Sequence, residues 1–154
     1  MYLLMRRISA YTSPDVLLGV FRTPDEAEAA KVSYIIARGA DPESDPWKNQ
    51  GHKDAVPLEQ DLEVEQLPGD FPTGSEVFVV SDHCDGLGQE IRKLDSLHAT
   101  ALAAESRVAE LDAVDDADAV FPHYAVLDWV IVGSLHSDFR EDQPQPRWRQ
   151  RPNK

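Results

Sequence analysis

The segment "VLLGVFRTPDEAEAAKVSYIIARG", from Val16 to Gly39, decides the fold because a strand runs directly into a capped helix. Val16–Phe21 is rich in apolar and β-branched residues, which favours a strand. Thr23 is predicted to be the N-cap, with Pro24 in the first helical position and Glu26 completing a capping box. The apolar stripe of this helix comprises Ala27, Ala30, Tyr34 and Ala37, widened by Val32, Ile35 and Ile36.

Two further strands flank this strand and helix. The run "YLLMRRIS" at 2–9 leads into the turn residues Ser13-Pro14-Asp15, which predicts a hairpin with the strand at Val16. After a polar loop at 40–57, "LEQDLEVEQL" at 58–67 alternates between apolar and acidic residues. This alternation predicts a half-buried strand with one acidic face, and the first half of the chain therefore has the order ββαβ.

The same order of elements recurs in the second half of the chain. Strands are predicted for "EVFVVSD" at 76–82 and "QEIRKL" at 89–94, joined by a turn in "HCDGLG" at 83–88. A helix follows with Ser96 as its N-cap, and "AVLDWVIVGSL" at 125–135 forms the last strand. A shift of 73 positions places Thr23 on Ser96, which indicates a tandem repeat.

The pattern predicts an α+β fold made of two tandem ββαβ units with pseudo-two-fold symmetry. Each unit is a mainly antiparallel three-stranded sheet with one covering helix. The first unit spans 1–68, residues 69–75 form a linker, the second unit spans 76–138, and 139–154 is a disordered basic tail. A single six-stranded sheet with both helices on one face satisfies the same pattern, and the sequence does not choose between the two arrangements.

Two segments carry a resemblance to known proteins. "LGVFRTPDEAEAA" in the first unit and "VFVVSDHCDG" in the second resemble short uncharacterised bacterial ββαβ repeat domains. The resemblance implies the repeated fold and no particular activity.

The charge balance restricts the classes of partner. The chain has 28 Asp and Glu against 15 Lys and Arg, a formal net charge of −13, although its last residues, from Arg140 to Lys154, are basic. Such a field repels nucleic acid and anionic membranes and attracts cationic proteins. Nucleic-acid binding is therefore expected at most as weak contacts of the tail. One cysteine and the absence of an apolar run of ~18 residues predict a cytoplasmic protein without a membrane span.

These features predict a small, non-enzymatic acidic binding protein of the immunity or inhibitor type. It would dock a cationic macromolecular partner through the acidic strand face and act as a monomer or a homodimer. An assembly protein that associates with itself through its sheets is one alternative. The predicted partner-binding residues are Glu59, Asp61, Glu63 and Glu65, Trp47 in the 40–57 loop, and Asp115 and Asp116 after the second helix.

The run Asp82-His83-Cys84-Asp85 contains the only cysteine of the chain. We interpret it as the tip of a hairpin, because Asp-Gly follows at once and favours a turn. Adjacent strand residues point to opposite faces, so His83 and Cys84 do not converge on one ion. No catalytic residue, metal or cofactor is predicted. The alternative is a small thiol- or metal-dependent enzyme centred on Cys84, with a histidine brought in from elsewhere.

Overall fold

The computed structural model describes residues 1–7, 16–37, 59–86, 89–113 and 123–135. Within them the fold is α+β, with two three-stranded antiparallel sheets and two helices, as the sequence predicted at that level. The elements are β1 (Tyr2–Arg6), β2 (Val16–Phe21), α1 (Pro24–Ala37), a 3-10 turn (Glu59–Asp61), β3 (Leu62–Gln66), β4 (Glu76–Gly86), β5 (Gln89–His98), α2 (Ala101–Asp112) and β6 (His123–Ile131).

The strands form two separate sheets rather than one of six strands. Sheet A has the order β2-β1-β3 and sheet B the order β5-β4-β6, with every neighbouring pair antiparallel. Sheet B is the longer of the two, because β4 has 11 residues whereas β1 has five.

The two sheets pack face to face, and each helix covers the outer face of one sheet. Strand alternation divides β1 accordingly, since Leu3 and Met5 face sheet B while Leu4 faces α1. The shared layer between the sheets, called here the interlayer core, comprises Met1, Leu3, Met5, Leu17, Val20, Val77, Val79, Leu94, Val130 and Val132. Two further apolar clusters lie under α1 and under α2.

The N-terminus of α1 forms as the sequence predicts. The Glu26 N–H donates to Thr23 Oγ1 at 3.1 Å, and the Thr23 N–H donates to Glu26 Oε2 at 3.3 Å. The predicted width of the apolar stripe is wrong, because Val32 and Ile36 are 55% and 72% exposed. A helix that lies on one narrow three-stranded sheet buries a single stripe, here Ala27, Ala30 and Tyr34.

The predicted start of the second helix is also wrong. Ser96 is not the N-cap, because β5 continues to His98 and Ser96 pairs with Val80 on β4. The cap is Thr100, whose hydroxyl accepts from the Ala103 N–H at 3.2 Å. Pairing with β4 holds the backbone of 95–98 extended, so the helix begins at the next residue that can act as a cap.

Other strand boundaries also differ from the prediction. β3 begins at Leu62, so Glu59 and Asp61 lie in the preceding 3-10 turn and not on the strand. β4 runs on to Gly86, so Asp82, His83 and Cys84 are strand residues and not a turn. Pairing with both β5 and β6 holds this segment extended, against the local turn preference of Asp-Gly. Residues 87 and 88 lie outside the described residues.

Candidate functional site

The acidic residues of β3 lie on the face of sheet A that packs against sheet B. The register places Glu65 opposite Leu3 and Glu63 opposite Met5, so both carboxylates share the face of β1 that packs in the interlayer core. Within the described residues β3 is the outer strand of sheet A, so its side chains on this face lie at the rim of that core. The alternation predicted for Leu62–Glu65 is present, with Leu62 on the opposite face under α1.

An arginine next to β1 neutralises part of this acidic edge. Arg7 Nη2 donates to Glu63 Oε1 at 2.8 Å, and the Glu63 side chain is 43% exposed. The Arg7 N–H also donates to the Asp61 carbonyl at 2.7 Å. The Arg7–Glu63 ion pair thus lies at the start of β3, next to the backbone of Asp61.

Glu65 is a predicted binding residue whose pKa is shifted by its surroundings. It is half-buried, and desolvation raises the pKa of its carboxyl, with the neighbouring Glu63 carboxylate adding to the shift. The Arg92 guanidinium of sheet B acts in the opposite direction and lowers this pKa. The carboxylate of Glu65 on sheet A therefore interacts electrostatically with the Arg92 guanidinium on sheet B.

Three predicted residues lie outside the described residues, namely Trp47, Asp115 and Asp116. For Glu59 the structure describes the backbone in the 3-10 turn. Of the predicted set, the structure thus brings together Asp61, Glu63 and Glu65.

A buried polar group lies between the sheets, and the sequence reasoning missed it. Arg92 on β5 donates from Nε to Ser81 Oγ at 2.9 Å and from Nη2 to Asp128 Oδ2 on β6. The Arg92 and Asp128 side chains are both 0% exposed. His83, on the same face of β4, is 6% exposed and lies 5.5 Å from the Tyr124 ring.

Burial dominates the electrostatics of this pair. Desolvation raises the pKa of the Asp128 carboxyl, and the adjacent Arg92 charge and hydrogen bond lower it. Asp128 Oδ1 has no hydrogen-bond partner within the described part of the chain. The one signal in the sequence is an aspartate within the apolar run "AVLDWVIV" at 125–132, which does not reveal its partner 36 residues away.

A second polar group, called here the Cys84 cluster, consists of Asp82, Cys84 and His123 on the side of sheet B that carries α2. Cys84 on β4 pairs directly with His123 on β6, so their side chains share one face. His123 Nδ1 lies 3.1 Å from Asp82 Oδ1. Cys84 is partly exposed, and the side chains of His123 and Asp82 are 24% and 33% exposed.

The end of α2 borders the Cys84 cluster. Asp112 in the last turn accepts a hydrogen bond from the Ala125 N–H at 3.0 Å, and Ala125 pairs with Asp82 across the sheet. On the β5 side, Ile91 pairs with Cys84 and is 48% exposed. The sequence analysis names no particular histidine as a partner of Cys84, because the β4–β6 register cannot be derived from local sequence.

The chemistry open to these groups is limited in the described residues. No set of three His, Cys, Asp or Glu side chains there is arranged to hold a metal ion. No helix among them is long and apolar enough to cross a bilayer. Searches against protein-family models, curated proteins and solved structures find no match to this chain.

Proposed function

We propose that this protein is a non-enzymatic binding protein that docks a cationic macromolecular partner at the acidic edge of β3. The observation that supports this most directly is the arrangement of charge around a chain of net −13. Most of the described basic residues are buried or paired with acids. Arg6 and Arg92 are buried, and the ion pairs are Arg7–Glu63, Arg22–Asp70, Lys31–Glu28, Arg107–Asp95 and Arg107–Glu110.

The exposed charge of the described residues is mainly acidic. Exposed acids lie on both helices and at the start of β4, namely Asp25, Glu28, Glu76, Glu105, Glu110 and Asp112. A surface of this kind raises the rate of encounter with a cationic protein and disfavours anionic partners.

The edge of β3 supplies a place for that partner. Among the described residues β3 pairs with β1 alone, so its other edge is open to strand addition. Asp61, Glu63 and Glu65 lie along this edge, and the 43% exposed Glu63 side chain remains accessible beside Arg7. An extended segment with alternate basic residues would combine backbone hydrogen bonds with charge pairing here.

The test uses a synthetic peptide that alternates arginine and threonine, with binding measured by calorimetry at low and moderate salt. Asp61→Asn with Glu65→Gln should weaken binding about tenfold, since both carboxylates lie at the proposed site. The matched control, Asp25→Asn with Glu28→Gln on α1, removes the same charge and should weaken binding far less. An equal loss of peptide binding in both double variants would show that the peptide is attracted by the net negative charge of the protein and does not dock at β3.

We also infer that the two halves are tandem ββαβ units related by pseudo-two-fold symmetry, within the bounds 1–68 and 76–138. The strand orders support this, because each sheet has the first strand of its half in the centre. The helix caps are 77 residues apart, from Thr23 to Thr100, rather than the 73 expected from Thr23 and Ser96. The single cysteine favours a cytoplasmic location. A monomer or a homodimer is expected, which light scattering distinguishes.

A further inference from the structure

We propose that the outward face of α1 binds the basic C-terminal segment of the same chain. This segment, called here the basic segment, is "PRWRQRPNK" at 146–154. In the proposed contact, Trp148 lies on exposed apolar side chains of α1, and the neighbouring arginines pair with acids near the start of that helix. The contact is independent of the docking function above, because it uses a different surface and no external partner.

The first observation is that α1 has two apolar stripes on opposite sides. One consists of Ala27, Ala30 and Tyr34 and is buried against sheet A. The other, called here the outer stripe, consists of Ala29, Val32 and Ile36, which share one face because they are spaced three and four residues apart. Val32 and Ile36 are 55% and 72% exposed. Adjacent apolar side chains on one exposed face form a surface that another segment covers favourably.

The second observation is the charge at the N-terminal end of the outer stripe. Asp25 lies one turn before Ala29, and Glu28 lies beside it, both of them exposed. Lys31 is on the flank of the helix and pairs with Glu28 at 3.9 Å, which is a weak interaction at a surface. The outward face of α1 therefore combines an apolar strip with an acidic end, and it fits a segment that is both aromatic and basic.

The basic segment has this complementary chemistry. It contains four bases and no acid, with Trp148 between Arg147 and Arg149. Tryptophan and arginine are the side chains that contribute most to binding when they meet an apolar and acidic surface. The segments at 8–15, 38–58 and 114–122, which also lie outside the described residues, each have more acids than bases. Charge complementarity therefore selects the C-terminal segment as the occupant.

The third observation is the place where the described residues end. After β6 the Gly133 N–H donates to the Val20 carbonyl at 2.8 Å, so the chain passes from sheet B to β2 of sheet A. Leu135 then packs against the apolar cluster under α1. Because sheet A has the order β2-β1-β3, this point lies on the side of the sheet away from β3. The basic segment is thus tethered beside α1.

The tether has sufficient length for this contact. A chain of the length between Leu135 and Trp148 has an r.m.s. reach of roughly 20 Å. Helix α1 from Asp25 to Ile36 is about 17 Å long. Such a tether gives an effective concentration on the order of millimolar, so a contact that is weak between separate molecules suffices within one chain. Binding at α1 also leaves the edge of β3 accessible to an external partner.

Limited proteolysis of the full chain measures the bound fraction, because trypsin cuts the unbound segment and the rate follows the population of that state. Cleavage after Arg147 and Arg149 is followed at early times by mass spectrometry of the fragments 1–147 and 1–149. The synthetic peptide 139–154 gives the rate for the unprotected sequence. At low salt the parent chain should be cut about fivefold more slowly than the peptide, and moderate salt should reduce this protection.

Variants of α1 locate the contact. Val32→Ser with Ile36→Ser should bring the cleavage rate to within about twofold of the peptide, because the apolar contacts are removed. Leu102→Ser is the matched control, since Leu102 is a 76% exposed side chain on α2, and it should keep the parental rate. Asp25→Asn with Glu28→Gln should raise the rate about twofold through the loss of charge pairing.

Four results would overturn the proposal. A parent chain cut as fast as the peptide would show that the segment is not bound. Full protection in the folded Val32→Ser and Ile36→Ser variant would place the contact elsewhere, and loss of protection in Asp61→Asn with Glu65→Gln alone would place it at β3. Protection that grows with protein concentration would show binding between two copies.

A substitution in the basic segment keeps the test decisive if circular dichroism shows that the α1 variant is unfolded. Trp148→Ala leaves the described fold unchanged, and its cleavage is compared with that of a peptide carrying the same substitution. Most of the protection should be lost, because the aromatic contact with the outer stripe is removed. Protection equal to that of the parent would contradict the proposed role of Trp148 and overturn the contact.

Discussion

The two halves of the molecule have the same strand order, yet each buries an arginine in a different layer. In the first half, Arg6 is 2% exposed and lies on the α1 side of sheet A, where Nη1 donates to the Tyr34 hydroxyl at 2.7 Å. In the second half, Arg92 lies between the sheets and pairs with Asp128. The residue that binds each buried guanidinium thus depends on whether the arginine faces the covering helix or lies between the two sheets.

The physical difference lies in the neighbouring element. α1 brings the Tyr34 ring to within 5.8 Å of the Arg6 guanidinium, which combines a hydrogen bond with a cation–π contact. Sheet B, in contrast, holds Arg92 with a carboxylate and a hydroxyl from its own strands. A buried charge is tolerated only when such partners replace its hydration, and an ion pair leaves a large cost when one member is removed.

The largest effect is expected at Asp128. Replacing Asp128 by Leu leaves Arg92 buried without its carboxylate and should cost about 3–5 kcal/mol of unfolding free energy. Urea denaturation measures the loss. The double variant Arg92→Met with Asp128→Leu should recover most of it, because both charges are removed together. A single variant that loses less than its double counterpart would contradict the role of the pair.

A smaller effect is expected at Tyr34. Tyr34→Phe keeps the ring over Arg6 and removes the hydroxyl that accepts from the guanidinium, so it should cost about 1–3 kcal/mol. The control is Tyr2→Phe, which removes a hydroxyl on the same side of β1 and should leave the urea midpoint almost unchanged. Equal losses at Tyr2 and Tyr34 would mean that the Arg6 contact does not stabilise this half.

The helix caps compare the two halves at an equivalent position. Thr23→Ala and Thr100→Ala should each cost about 1 kcal/mol, because each hydroxyl accepts from a first-turn N–H. Ser96→Ala should cost less than Thr100→Ala in thermal unfolding, since Ser96 Oγ donates to Asp95 within β5. The reverse order would place the start of α2 at Ser96.

The smallest effects concern pH. Hydrogen bonding from Arg107 holds the pKa of Asp95 below its ordinary value of 3.8. Asp95 therefore stabilises the fold above pH 3.8, and this contribution is lost as pH falls through its depressed folded pKa. Glu65 behaves in the opposite way, because its raised pKa makes ionisation destabilise the fold as pH rises. Melting curves against pH should show a weaker acid loss for Asp95→Asn and a gain near neutral pH for Glu65→Gln.

Local signals explain which elements could be predicted. The Thr23–Glu26 capping box can be predicted because its two partners are three residues apart, and the alternation of "LEVEQ" at 62–66 is visible in these five residues. Ser96 is a good cap by residue type, and only its pairing with β4 excludes it and leaves Thr100 as the cap. The Asp-Gly pair favours a turn at 83–86, whereas pairing with the adjacent strand β5, and for His83 and Cys84 also with the distant strand β6, holds these residues extended.

The polar groups were harder to predict than the elements. Arg92 and Asp128 are 36 residues apart, and Asp82 and His123 are 41 apart. Their meeting depends on the register of β4 against both neighbours, which is set by many apolar contacts together. The acidic face of β3 could be predicted, but its orientation toward sheet B and the contact of Glu63 with Arg7 could not.

By itself the sequence determined the alternation of β3, the cap of α1, the α+β class and the acidic character of the chain. These follow from side-chain periods of 2 and 3.6, from hydrogen bonds over three residues and from composition. Only the tertiary structure decided that two sheets share one apolar layer, that Arg92 meets Asp128 inside it, and that Cys84 faces His123. These arrangements depend on the burial of apolar surface contributed by strands far apart in the chain, which no short segment encodes.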